Sequence, residues 1–95
     1  MITKEKIEKL LKNYFRPKYI FVGDDSYLHA GHDEAIRTGG KHFSLIIVCA
    51  QFEGKTLIQR HRMIYDVLKE GMGKEIHALA IKTLTPKEYK KKKAF

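Results

Sequence analysis

The sequence predicts an α+β domain of order α-β-β-α-β-α, with a three-stranded mixed sheet carrying its helices on one face. Helical spacing of apolar residues and helix-capping residues mark three segments, and three short runs rich in β-branched and aromatic residues lie between them. The 25 residues from Gln51 to Glu75 contain one of those helices and are long enough for a right-handed crossover, so the second and third strands are expected parallel. The first and second strands are expected antiparallel.

Each element has a local reason. Ile7, Leu10, Leu11 and Tyr14 recur at helical spacing over about 4 to 14, Thr3 is an N-cap, and Ile2 can staple onto Ile7. Pro17 stops that helix, and Tyr19-Ile20-Phe21-Val22 reads as the first strand. Gly23 to Lys41 is polar, rich in Gly and Asp and without periodicity; loops of that length are usually functional or disordered. His42 to Ala50 reads as the second strand, apolar on both faces in its later half and therefore central. Phe52-Glu53-Gly54 turns the chain, and Thr56 with Gln59 forms a capping box for a helix whose stripe is Leu57, His61, Ile64 and Leu68. Gly71 and Gly73 stop it, and Ile76 to Thr83 is the third strand. Thr85, Pro86 and Glu88 then supply a cap, a first helical residue and a second capping box for the last helix.

Ninety-five residues, 43% of them hydrophobic, provide for one thin core and exclude a two-domain enzyme or a deep active-site cavity. The net charge of +8 favours an anionic partner only if it is gathered on one face. Half of it is: residues 86 to 95 hold five Lys and one Glu. Cys49 is the only cysteine, which rules out an internal disulfide and any all-thiolate metal site and suits a reducing compartment. The longest apolar run, Leu45 to Ala50, is far below the roughly 18 residues that span a bilayer. With an acid-containing N-terminus unlike a signal peptide, the expected location is cytoplasmic.

The topology locates the chemistry. With the strands running as expected, the long loop lies at the end of the sheet where the second and third strands begin, so His29, His32, His42 and His77 converge on one rim. Each alone reads as an ordinary surface histidine; four together read as a metal clamp, a loop imidazole facing one at a strand start. The clamp is incomplete. Cys49, read as mid-strand, is well away from the rim, and Asp24, Asp25, Asp33 and Glu34 offer only hard oxygen ligands, so a tetrahedral site or an iron-sulfur cluster needs donors from water or a second protein. His61 reads as a core residue, with a ligand role as the alternative. Arg60 and Arg62 point to other faces and suit a carboxylate, a phosphate or a partner surface. Cys49 shares a face with Phe43, Leu45 and Ile47 and behaves as a small hydrophobe. Lys90, Lys91, Lys92 and Lys93 read as a solvated helix end, with nucleic-acid contact as the alternative.

Asp24 to His32 (DDSYLHAGH), Lys41 to Val48 (KHFSLIIV), Gln51 to Leu68 (QFEGKTLIQRHRMIYDVL), Ile76 to Thr83 (IHALAIKT) and Thr85 to Glu88 (TPKE) together resemble the BolA family. The combination of F-x-G-K, R-H-R-M-x-Y and H-A-L is specific and spans nearly all of the chain after the first helix. The resemblance implies one BolA-like domain over residues 1–95 with a lysine-rich tail at about 90–95, and a fold similar to the class II K-homology fold. It also implies partnership with a monothiol glutaredoxin and a [2Fe-2S] cluster shared between the two. The glutaredoxin cysteine and glutathione would hold one iron, while His77 of the H-A-L motif and a loop residue would hold the other. The matching loop position is His29, with His32 as the alternative loop ligand.

No nucleophile with an adjacent base, no carboxylate pair at strand ends and no phosphate-binding glycine loop occurs, so a binding module is expected rather than an enzyme. The alternative is a nucleic-acid-binding transcriptional regulator, although neither QFEGKT nor GMGKE supplies the G-x-x-G loop with which K-homology domains clamp a strand. A third reading leaves the rim histidines incidental to a fold-stabilising role. DNA and a second copy of the chain stay open as partners, and no membrane contact is expected.

Overall fold

The computed structural model describes residues 3–24, 41–69 and 76–93. Helix α1 runs over Lys4–Phe15, strands β1 and β2 over Tyr19–Asp24 and Lys41–Val48, helix α2 over Leu57–Leu68, strand β3 over Ile76–Leu84 and helix α3 over Pro86–Lys93. The expected element order holds, with a short 3-10 turn at Ala50–Phe52 added after β2. Capping drives the boundaries. Thr3 Oγ1 accepts from the Lys6 N–H, and at α2 Thr56 and Gln59 exchange both capping-box bonds, at 2.8 and 3.1 Å. Thr85 and Glu88 do the same at α3, with the same two lengths. The staple from Ile2 and the stop at Gly71 and Gly73 lie outside the described residues.

The strands are ordered β1-β2-β3, β1 antiparallel and β3 parallel to the central β2. One face of the sheet, through Val22, Phe43, Leu45 and Ile47, packs with Ile7, Leu11 and Phe15 of α1 and Ile64 and Leu68 of α2 around Phe52. Helix α3 instead lies at the end of the sheet and touches both sides. Its Glu88 reaches Arg60 of α2, and its Tyr89 stacks on Tyr19, which alternates with the core residues of β1 and so belongs to the other face.

Two local expectations need correction. Strand β2 ends at Val48, not Ala50: the Lys18 N–H bonds Val48 O, the last β1-side contact, and Cys49, whose N–H still bonds Leu84 O of β3, caps the 3-10 turn with its side chain. The stripe of α2 is also rotated. Leu57 is 63% exposed, His61 is only half-buried, and the residues facing the core are Arg60, Ile64 and Leu68 with Met63 and Val67 beside them. Ile64 and Leu68 of the expected stripe do face the core, while Leu57 at the start of α2 is apolar yet exposed and His61 lies at the edge.

Candidate functional site

The rim forms where β1 ends and both β2 and β3 begin. Asp24 pairs with Phe43, and Lys41 pairs with Ile76, so residues 25–40 depart from and return to the same end of the sheet at which His77 stands. The ladder has an irregularity there. Lys41 is opposite Ile76, yet the next residue, His42, is opposite Ala78, leaving His77 as an extra residue of β3 with no counterpart in β2. Such a bulge is rare in a parallel pair and re-aims the local chain, which is why bulges recur beside functional sites. His42 is half-buried beside it in the ladder, with its Nε2 screened from solvent. His29 and His32 lie outside the described residues, as does the side chain of His77, whose backbone position alone is described.

Cys49 lies at the other end. It is seven residues on from His42 in sequence, about 23 Å along an extended strand at ~3.3 Å per residue. It is 3% exposed, its thiol donates to Phe15 O at 3.3 Å, and it accepts from the Gln51 N–H at 3.4 Å. Burial pushes the thiol pKa up, partly offset by the Gln51 N–H, so the thiolate that metals and electrophiles require is suppressed. Among the described residues, no three His, Cys, Asp or Glu side chains gather to hold a metal ion. Cys49 therefore offers no thiolate at the rim.

A second polar centre escaped the sequence reading. Arg60 is 7% exposed in the first turn of α2, where its Nε donates to Lys55 O at 3.0 Å and its Nη1 to Thr83 O at 3.5 Å. Nη1 and Nη2 meet the two carboxylate oxygens of Glu88 at 2.9 and 3.4 Å, and the guanidinium carbon lies 5.9 Å from the Phe52 ring centroid. The Arg60 hydrogen bonds, followed by the Thr85 N–H, hold the Glu88 carboxyl below the usual carboxylate range. Arg60 was expected on a face away from the core, suited to a carboxylate, a phosphate or a partner surface; instead it is buried, and the carboxylate it meets is internal. A signal existed in Glu88, whose Oε1 accepts both the capping Thr85 N–H and Arg60 Nη1, while Oε2 takes Arg60 Nη2, so a capping carboxylate still has acceptor capacity for a cation. By contrast, His61 lies outside the core cluster. His61→Ala is expected to cost under about 1 kcal/mol in urea unfolding, in keeping with a half-exposed position.

Lys90, Lys91 and Lys92 are exposed on α3, and contact with Lys82 of β3 pushes the Lys92 pKa below its ordinary value. Among the described residues, no helix is long and apolar enough to cross a membrane.

Comparison with known proteins agrees with the geometry. The family model for BolA-like protein matches residues 11–88. The chain is 38% identical over 92 residues to the DNA-binding transcriptional regulator BolA of Escherichia coli, covering 94% of this chain and 81% of that protein. It is 44% identical over 93 residues to SufE-like protein 1 of Arabidopsis thaliana, a match covering 93% of this chain but only 24% of that longer protein. The solved BolA domain of SufE1 from Arabidopsis thaliana superposes with a TM-score of 0.77 at 40% identity, covering 90% of this chain and 93% of that one. Fold, capping motifs and family match converge: the chain belongs to the BolA-like family.

Proposed function

We propose that the chain is a binding module that partners a monothiol glutaredoxin and shares with it a [2Fe-2S] cluster, in iron-sulfur cluster trafficking or iron and redox regulation. The observation that carries this reading is the strand register. His77 stands as a bulge residue at the same end of the sheet from which the segment bearing His29 and His32 leaves. Cys49 is buried at the other end, so thiolate ligands must come from a partner. His77 and one loop imidazole would hold the second iron. Imidazole in place of thiolate on one iron raises cluster potential, so the bound cluster would be distinct in redox behaviour from an all-thiolate one. Mixing the chain with a monothiol glutaredoxin, glutathione, iron and sulfide should give absorption and circular dichroism spectra different from those of the glutaredoxin alone with the same reagents. Identical spectra with and without the chain would remove the proposal.

The name of the Escherichia coli relative favours a second reading, DNA binding in transcriptional regulation. The exposed lysines of α3 are its electrostatic footprint. Replacing Lys90, Lys91, Lys92 and Lys93 with Gln keeps the helix and should weaken DNA binding. The log-log salt slope should fall by about 0.9 for each lysine that meets a duplex phosphate. An unchanged slope would place the contact elsewhere on the chain.

A further inference from the structure

Among the described residues, the face of the sheet away from α1 and α2 is covered only at its end, by α3. Register sets Phe21, Ile46 and Lys82 abreast across the three strands. Phe21 is 47% exposed, and its position is built rather than accidental. A Cβ on Gly23 would stand 3.2 Å from Phe21 Cε2 and 2.9 Å from Ser44 Oγ, so the ring leans along the strand over Gly23 into space that any side chain there would take. In the next row Tyr19, 41% exposed, stacks on Tyr89 with ring centroids 5.5 Å apart and planes 13° from parallel. On the other side of the same face stands the exposed Lys82, set abreast of Ile46 by the register, and the exposed Lys92 of α3 is close enough to it for their contact to lower the Lys92 pKa. Two ammonium groups held together repel each other unless an anion lies between or over them.

An occupant of this surface must offer flat apolar rings to Phe21 and Tyr19 and negative charge to the lysine pair. An uncharged apolar partner satisfies only the first requirement. A duplex satisfies only the second, since its base faces are hidden in the stack. We propose that this sheet face binds single-stranded nucleic acid, with bases stacking on Phe21 and the Tyr19–Tyr89 pair and phosphates meeting Lys82 and Lys92. The inference rests on the nucleic-acid reading and narrows it to a strand form and a surface. Aromatic platforms of this kind are tolerant of sequence because every base has a π-face.

The test is fluorescence anisotropy of the whole chain at physiological salt. The probes are a labelled oligo(dT) of about 12 nucleotides, within the length such platforms cover, and a duplex of the same length. The single strand should bind more tightly than the duplex. Phe21→Ala should weaken single-strand binding about tenfold, one lost stack of ~1.4 kcal/mol, while duplex binding stays as it was. Phe21→Leu keeps apolar volume without a ring face and should give the same loss; it stands in should the alanine variant melt early. Changing Lys82 and Lys92 together to Gln should lower the single-strand salt slope by about 1.4, ~0.7 per phosphate. Equal binding of both forms, indifferent to Phe21, overturns the inference while the charge-driven reading survives. No binding of either form removes that reading and the inference with it. Sedimentation showing a dimer that Phe21→Ala converts to monomer, with no oligonucleotide bound, would make the face a self-association surface and also overturn it.

Discussion

His77→Ala is expected to abolish the cluster spectrum of the complex with a monothiol glutaredoxin, whereas His29→Ala should shift the spectrum and make the cluster more labile. The asymmetry has two sources. The backbone of His77 is held between paired residues of β3 before any metal arrives, with Ile76 and Ala78 both fixed in the ladder, so its donor brings little ordering cost to binding. His29 has His32 three residues away as a substitute, and His77 has no such neighbour in sequence. His42 is the informative control, since it lies beside His77 in the ladder: His42→Ala should leave the cluster spectrum in place if His77 is the ligand. Visible absorption and circular dichroism of the mixed complex, followed over time under chelator, read both quantities. Retention of the spectrum by His77→Ala would sink the ligand assignment, and equal loss from either single change would sink the ranking.

Arg60→Ala should be the most destabilising single change at a charged residue, at about 2–4 kcal/mol. It removes a buried guanidinium that satisfies two backbone carbonyls and packs against Phe52, and those carbonyls then lose their donors. The ion pair itself contributes the smaller share, because the Glu88 side chain is 46% exposed and water screens it. Glu88→Gln isolates that share. The amide keeps an acceptor for the Thr85 N–H, and the expected loss near neutral pH is about 1 kcal/mol or less. The pH dependence follows from the depressed carboxyl. Its contribution is present in full above the unfolded value of about 4.3 and disappears as pH falls through the lower folded value. Wild type and Glu88→Gln should therefore converge in stability on acidification below about pH 4. A difference that persists unchanged in acid would show that the charge of Glu88 is not what stabilises the fold.

Much of this molecule was legible because its signals are local. Thr56 with Gln59 and Thr85 with Glu88 are three residues apart, so the sequence alone displays both partners of each capping box. The parallel pairing of β2 and β3 followed from the length of the crossover, and with it the end of the sheet at which the His77 backbone stands and the segment 25–40 leaves and returns. What escaped depends on partners far along the chain. Arg60 looks like a surface residue until Glu88, 28 residues later, is brought against it. The apolar run through Cys49 looks like continuous strand, because nothing in its composition says that pairing with β1 stops at Val48. The irregularity at His77 belongs to neither strand alone and exists only in their pairing.

That irregularity bears on how the chain tolerates insertion and deletion. Below the rim, from His42 with Ala78 down to Val48 with Leu84, the two strands keep step, and each position is committed to one face of the sheet. Losing a residue anywhere in that stretch would throw every later side chain onto the opposite face. Position 77 is different: if it were deleted, Ile76 and Ala78 would become consecutive opposite the consecutive Lys41 and His42, and the ladder would close without a shift. The residue proposed to carry the chemistry is thus supernumerary to the sheet. Lineages could gain, lose or exchange it without rewriting the core, and the architecture and the ligand are free to evolve on separate accounts.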